Sequence, residues 1–322
     1  MPKVAIQQIH DLTDRICGFD LVPVDTNSPL TPCPPGAHIK VQVKDAKGEP
    51  TTRSYSVINP GQGDLYRIAV LRDDNGEGGS RFMHESLTAG NIIDIEEPQN
   101  DFPLDENAAK TILIAGGIGI TPILSMAKHL QQTGADFTLH YSCRNHNDMA
   151  LMTETLDHAD GRCTLYFDGG DANRGMPLST MLGTPEARKH VYVCGPGGLI
   201  DAVLETARRH RWTSDNVHYE RFTTPTAQLD DTSFEVHLAQ SGQTFEVPVG
   251  KSVLDVLIDE GIDPLYDCKK GNCGICTSSV LAHDGDLSHR DAYLSDGQKA
   301  QNNQMCICVS RMQSNGRLTL DL

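Results

Sequence analysis

The sequence predicts a multidomain α/β plus β protein: an antiparallel β-barrel, then a parallel sheet covered by helices, then a small β unit. Three observations carry this expectation. Residues 4–97 break into short strand-like runs separated by turn residues. Residues 111–209 alternate strands with helices, and after a polar stretch at 223–228 the strands return. At about 100–200 residues per domain, 322 residues accommodate two or three domains. A hydrophobic fraction of 38% is enough for packed cores and excludes a disordered chain.

In the first segment, residues 39–43 (Ile-Lys-Val-Gln-Val) alternate, and residues 65–71 form a second strand candidate. Pro34-Pro35-Gly36, Asn59-Pro60-Gly61 and the glycines from Gly76 to Gly79 supply the turns. Short strands at this spacing suit a closed or nearly closed barrel. Residues 98–103 read as a linker, which sets the first domain at 1–103. Beyond it, residues 111–115, 137–142, 163–167 and 190–194 are apolar strands, with helices over 122–131 and 199–209. Such alternation predicts a Rossmann-like parallel sheet over residues 104–224. The stretch 223–228 reads as a tether to a third domain at 232–322. There, residues 234–238 and 244–247 pair as a hairpin, and Ser252 caps a helix over 253–260 that Gly261 stops.

The formal net charge is −16, from 43 acidic against 27 basic residues. Nucleic acid and anionic membrane would both be repelled, so neither is expected as a partner. The N-terminus, MPKVAIQQIHD, lacks a basic run followed by an apolar stretch, and the apolar residues 112–124 are too few to span a bilayer. A cytoplasmic protein is expected. Of ten cysteines, five fall between Cys268 and Cys308. In a reducing compartment such clustering points to metal rather than to disulfides.

Cys268-x4-Cys273-x2-Cys276 followed by a distant fourth cysteine matches the plant-type [2Fe–2S] spacing. Structural zinc is the alternative, but zinc usually takes two short paired motifs and only one is present. Gly271 and Gly274 allow backbone N–H groups to turn toward the sulfurs. Cys306 and Cys308 both qualify as the fourth ligand. Two residues apart on an expected strand, they point to the same face, and spacing does not choose between them.

The run Asp267-Cys-Lys-Lys-Gly-Asn-Cys-Gly-Ile-Cys276, then His289-Arg-Asp291 and Ile307-Cys-Val-Ser-Arg311, resembles the phthalate dioxygenase reductase family over essentially the whole chain. The resemblance implies a flavin-binding barrel, a nicotinamide-binding domain and a C-terminal β-grasp ferredoxin domain. In that family the fourth ligand directly precedes Val-Ser-Arg or Cys-Ser-Arg, which selects Cys308.

Arg53-Ser-Tyr55-Ser56 offers a guanidinium fork for a phosphate and a ring to lie on an isoalloxazine. Gly78-Gly79-Ser80, ahead of an expected helix over 81–87, adds free N–H groups at a positive helix end. Together they resemble the family's FMN signature, although related reductases carry FAD in the same barrel. Glu220-Arg-Phe222 matches the family's Glu-x-Phe, which would set Phe222 near the flavin ring.

After the strand at 111–115 comes Gly116-Gly117-Ile-Gly119-Ile-Thr121-Pro122, where glycines admit a pyrophosphate and Thr121 can cap the next helix. Pro122 stands where the third glycine of G-x-G-x-x-G would be. Cys194-Gly195-Pro196 follows a later strand, and both motifs match the ferredoxin–NADP⁺ reductase superfamily, in which the cysteine lies by the nicotinamide. Asp168 ends the third strand, where a carboxylate accepts a ribose hydroxyl and repels a 2′-phosphate, so NADH is expected. Arg144 and Arg174 are nearby cations that weaken the contrast. The resemblance makes Ser56, Cys194 and Phe222 the candidate catalytic residues.

NADH delivers two electrons together and a plant-type cluster, at about −400 mV, accepts one, so a flavin must stand between them. The final acceptor lies outside this chain, which holds neither a paired Cys-x-His motif for a Rieske centre nor C-x-x-C-H for haem. The resemblance implies a Rieske oxygenase as partner. A ferredoxin or cytochrome acceptor, and a redox sensor without turnover, are the alternatives.

Overall fold

Alternating apolar side chains lay down the first two strands, β1 (Lys3–Thr13) and β2 (Ile16–Pro23), as an antiparallel pair turning at Asp14 and Arg15. The computed structural model describes residues 1–25, 27–61, 63–171, 174–224 and 231–322, and they form two compact units, Met1–Tyr219 and Glu220–Leu322. In the first unit β3 (His38–Lys44) pairs with β4 (Pro50–Ser56) in full antiparallel register. β5 (Tyr66–Leu71), helix α1 (Gly79–Ser86) and β6 (Ile92–Asp94) complete the set, and one sheet runs β5-β2-β1-β6. Bridges from Val41 to Ile95 and from His38 to Gln99 tie the β3–β4 ribbon to that sheet's end, giving the expected nearly closed barrel. Phe19, Leu21, Ile39, Val41 and Ile68 fill it.

Residues 98–103, expected as a linker, are instead packed down. Gln99 exchanges both backbone bonds with His38 at 2.8 and 2.9 Å, and Phe102 is buried with its ring 5.6 Å from Tyr192. Two prolines suggest a free connector, but Phe102 is a large apolar side chain that gains by burial.

The rest of the first unit alternates as expected: β7 (Lys110–Gly116), α2 (Ile120–Thr133), β8 (Phe137–Cys143), α3 (Met152–Ala159), β9 (Cys163–Phe167), α4 (Leu178–Leu182), β10 (Lys189–Cys194), α5 (Gly197–Arg209) and β11 (Val217–Glu220). Sheet order is β11-β10-β7-β8-β9, with β10, β7, β8 and β9 parallel. The chain leaves β7 in one direction and returns at β10 on its other side. That reversal opens a crevice at the carboxyl ends of β7 and β10, the place where open α/β sheets bind ligands.

In the second unit β12 (Phe234–Leu238) and β13 (Thr244–Val247) form the expected hairpin. Helix α6 (Val253–Asp259) starts at a reciprocal capping box between Ser252 and Asp255, and buries Val253, Leu254, Val256 and Leu257. β14 (Thr277–His283), β15 (Leu287–Ser288), α7 (Asp296–Gln301), β16 (Gln304–Cys306), β17 (Arg311–Met312) and β18 (Arg317–Leu320) follow. The main sheet runs β13-β12-β18-β14-β16, and β12 lies parallel to β18. A mixed sheet gripping one helix is the β-grasp arrangement expected of this segment.

Residues 225–230, which include four of the six residues of the expected tether, lie outside the described residues. Just past them, Asp231 is buried and paired with Arg290 through both carboxylate oxygens, with Arg311 Nε 3.8 Å away. Arg311 also donates to the carbonyls of Thr232, Pro248 and Lys251. Removing the carboxylate would leave two buried guanidinium groups without their counter-charge. Asp231→Ala is expected to destabilise the second unit by about 3–5 kcal/mol in denaturant unfolding. A loss below about 1 kcal/mol would mean that water compensates the pair.

Candidate functional site

The three-cysteine loop lies between α6 and β14. Lys269, Gly271 and Gly274 all adopt positive φ there, at 55°, 78° and 75°. These left-handed turns point the backbone N–H groups inward. Lys270 and Cys273 N–H each donate to Cys268 Sγ at 3.4 Å, and Asn272 N–H also faces that sulfur. Ile275 N–H faces Cys273, and Gly271 N–H faces Cys308. Thiolate sulfurs ringed by amide donors are the environment an iron–sulfur cluster requires.

The sulfurs meet in two groups. Cys268 contacts Cys273, and Cys276 contacts both Cys306 and Cys308. The Cys268 thiol is pulled down to about 6, first by the bond from Cys273 and then by the amides, against a burial effect that raises it. Bonds from Cys306 and then Cys308 likewise pull Cys276 down, to about 3. Cys268 with Cys273, and Cys276 with one of Cys306 and Cys308, would give two irons two thiolates each.

One expectation here is corrected. Cys306 ends β16, but Cys308 lies in the turn of residues 307–309, so the two cysteines do not share a strand face. Val309 and Ser310 N–H both donate back to Cys306 O, which tightens the chain out of extended form. Cys306 pairs across the ladder with Thr277, whose hydroxyl lies 3.4 Å from the Cys306 sulfur. Cys308 has Gly271 N–H instead.

On the barrel, Arg53 and Tyr55 are two apart on β4 and so share a face. Arg53 is held by Thr51 Oγ1 at 3.0 Å and Thr52 O at 2.7 Å, and its fork grips Glu77 Oε2 at 2.5 Å. The start of α1 closes onto it. A Cβ on Gly79 would fall 2.9 Å from Arg53 Cγ, and Gly78, at φ 98°, would strike Ala46 N at 2.5 Å. An anion-gripping fork beside backbone kept bare of side chains fits a flavin phosphate. Burial holds the Tyr55 hydroxyl well above the usual phenol range, so it stays a neutral donor. Ser56 is buried at the strand end, whereas the Ser80 hydroxyl is turned away to accept from Asp73 N–H at 3.0 Å. Phe222 is half-buried near the start of the second unit.

In the α/β sheet, the loop from Gly116 to Gly119 passes against Cys194-Gly195. A Cβ on Gly119 would lie 2.3 Å from Cys194 O, and one on Gly195 would lie 3.0 Å from Gly116. Contact that close leaves the two loop backbones facing one crevice. Cys194 is fully buried at the end of β10. Thr121 does not cap α2 as expected. The helix starts from Gly119 after a 3₁₀ turn, which carries Thr121 inside the first turn, where its hydroxyl donates to Ile118 O at 3.0 Å. Pro122 sits in that first turn.

A cleft of about 610 Å³ opens here, lined by Gly116, Gly117, Pro196, Ser142, Arg144 and Asp168 among others. Asp168 directly follows β9. Its carboxylate accepts from Gly170 N–H at 2.7 Å and Ser142 Oγ at 3.3 Å, which fixes it at the cleft wall. Thr13, Arg15 and Leu71 of the barrel line the opposite wall. The sequence carried no signal for that wall, because it joins residues far apart in the chain. Glu77 on Arg53 went unforeseen too, although a carboxylate directly before Gly78-Gly79 is visible in the sequence.

Comparison with known proteins agrees with this geometry. The family model for a 2Fe-2S iron-sulfur cluster binding domain matches residues 236–313, and that for an oxidoreductase NAD-binding domain matches residues 113–205. The chain is 38% identical to a vanillate O-demethylase oxidoreductase of Pseudomonas sp. (strain HR199 / DSM 7063), with 100% of both chains covered. Among solved structures it superposes on phthalate dioxygenase reductase with a TM-score of 0.69 and 34% identity, covering 99% of this chain and 97% of that one. It also superposes on an intact type IV self-sufficient cytochrome P450 monooxygenase, at a TM-score of 0.74 and 33% identity, where it spans 41% of the other chain.

Proposed function

We propose that this chain, which belongs to the phthalate dioxygenase reductase family, is the NADH-dependent reductase component of a two-component Rieske non-haem iron oxygenase. It is an oxidoreductase, and its cofactors are FMN, NADH and a [2Fe–2S] cluster. The observation that carries the reading is an amide-lined three-cysteine loop meeting further cysteines of the C-terminal turn, in one chain with a dinucleotide-sized crevice.

When bound, these groups convert a two-electron hydride into single electrons that leave one at a time. The residues of this chain do the holding and aiming. Arg53 and the amides of Gly78, Gly79 and Ser80 would hold the flavin phosphate, with Tyr55 beside the flavin and Ser56 toward its reactive end; Phe222 is a catalytic candidate by the family resemblance. Gly116, Gly117 and Gly119 let the pyrophosphate approach the backbone, with Thr121 and Pro122 fixing the start of α2. Cys194, Gly195 and Pro196 would lie by the nicotinamide. Cys268, Cys273, Cys276 and Cys308 would hold the two irons.

The electrons pass to a separate oxygenase, and relatives named for demethylation of vanillate and oxygenation of phthalate, carnitine and tert-butanol support that partner class. A cytochrome acceptor is the second reading, favoured by the likeness to part of a self-sufficient P450. Anaerobic mixing of the NADH-reduced protein with each acceptor separates the two by rate. No helix among the described residues is long and apolar enough to cross a membrane, none of the ten cysteines is disulfide-bonded, and a net charge of −16 repels nucleic acid. These features support a cytoplasmic setting.

Two substitutions test the residue roles. Cys308→Ser is expected to purify without the cluster's visible absorption and iron, while Cys306→Ser keeps both; the reverse result would make Cys306 the fourth ligand. Asp168→Ala is expected to narrow the preference for NADH over NADPH at least tenfold, since about 1.4 kcal/mol of repulsion is relieved. An unchanged ratio of kcat/KM would remove Asp168 from cofactor selection.

A further inference from the structure

The cluster loop has a roof. Neither Gly271 nor Gly274 has space for a side chain: a Cβ on Gly271 would fall 3.0 Å from Asp291 Cα and 2.8 Å from a Val309 methyl. A Cβ on Gly274 would fall 2.4 Å from two atoms of the Tyr293 ring and 2.5 Å from a third. Three ring atoms at nearly one distance mean that Tyr293 lies face-on over the Gly274 backbone. Its segment is fastened from both ends. Ala292 N–H donates to Gly271 O at 2.9 Å, and the fully buried Asp291 accepts from Leu294 N–H at 2.7 Å and Ser310 Oγ at 3.2 Å. Lys299 Nζ donates to Asp291 O at 2.6 Å. Asp291 thereby ties the roof to the turn that carries Cys308, two residues before Ser310. Tyr293 itself is 53% exposed. One face of the ring covers the loop and the rest meets solvent.

The covered backbone is the part that serves the sulfurs. The Gly274–Ile275 peptide supplies the N–H that faces Cys273, and Gly274 O is held by Thr277 N–H at 3.0 Å and Thr277 Oγ1 at 2.7 Å. Reduction potentials of such clusters follow the hydrogen bonds to sulfur and the access of water. We infer that Tyr293 is a positioning residue for the cluster: its ring seals the Cys273–Cys276 side of the loop and keeps water out. The inference rests on the reading that Cys268, Cys273, Cys276 and Cys308 carry the [2Fe–2S] group. Reduction adds a negative charge, which water stabilises, so an unroofed cluster takes its electron more readily and surrenders iron faster.

The test is a redox titration followed by low-temperature EPR, with iron release to a chelator measured alongside, on full-length Tyr293→Phe, Tyr293→Leu and Tyr293→Ala. The phenylalanine variant keeps the ring and is expected to match the unsubstituted protein in potential, g-values and release rate. The leucine and alanine variants are expected to titrate at a higher potential and to lose iron about tenfold faster. Loss of the cluster from alanine or leucine while phenylalanine loads fully supports the roof as well. Leucine and alanine variants that match the unsubstituted protein in potential and release rate would overturn it, as would a phenylalanine variant that fails to load. If the unsubstituted protein shows no [2Fe–2S] signal on reduction, the cluster reading itself fails, which is a different result.

Discussion

Everything downstream in this molecule depends on a loop whose backbone, rather than its side chains, faces the sulfurs. Four thiolates close together repel one another and are costly to bury unless N–H donors surround them. Lys269, Gly271 and Gly274 solve this by entering the left-handed region, which aims the amides of Lys270, Gly271, Asn272, Cys273 and Ile275 at the cysteines. The β-grasp sheet and α6 provide the rigid frame. Asp291 and Tyr293 occupy the space that glycine leaves, so the absence of a Cβ is used twice, once for conformation and once for packing.

The first unit repeats the same logic for phosphate. Bare backbone at Gly79 lies against Arg53 and at Gly78 against Ala46, and bare backbone at Gly116 and Gly119 lies against Cys194-Gly195. In each case N–H groups and a helix start are brought close to where an anion would rest. Asp168 adds the opposite sign at the far wall of the cleft, held by Gly170 N–H and the Ser142 hydroxyl. The acidity of the chain as a whole makes these local cationic ends stand out.

Elements with strong local signals were legible in the sequence. The strands Cys163–Phe167, Phe234–Leu238 and Thr244–Val247 fall where alternation and apolar runs set them. The cysteine spacing identified the cluster loop, because ligand geometry ties it to residues close in sequence. Features set by tertiary packing were not legible. Residues 98–103 look like a connector, yet Phe102 is drawn into a core that includes Tyr192, ninety positions on. Cys306 and Cys308 read as neighbours on one strand face, but the bonds to Cys306 O curl the chain after it. Thr121 looked like a cap until a 3₁₀ turn moved the start of α2 forward. The roof over Gly274 was invisible because Tyr293 lies nineteen residues away and carries no motif of its own.

The most direct test of the account is an anaerobic titration with NADH, followed by visible absorption and low-temperature EPR. The account predicts uptake of about three electrons per chain, with bleaching of the flavin and growth of a rhombic [2Fe–2S] signal. Saturation at about two electrons, with flavin bleaching and no EPR signal, would contradict it and reduce the protein to a simple flavin reductase.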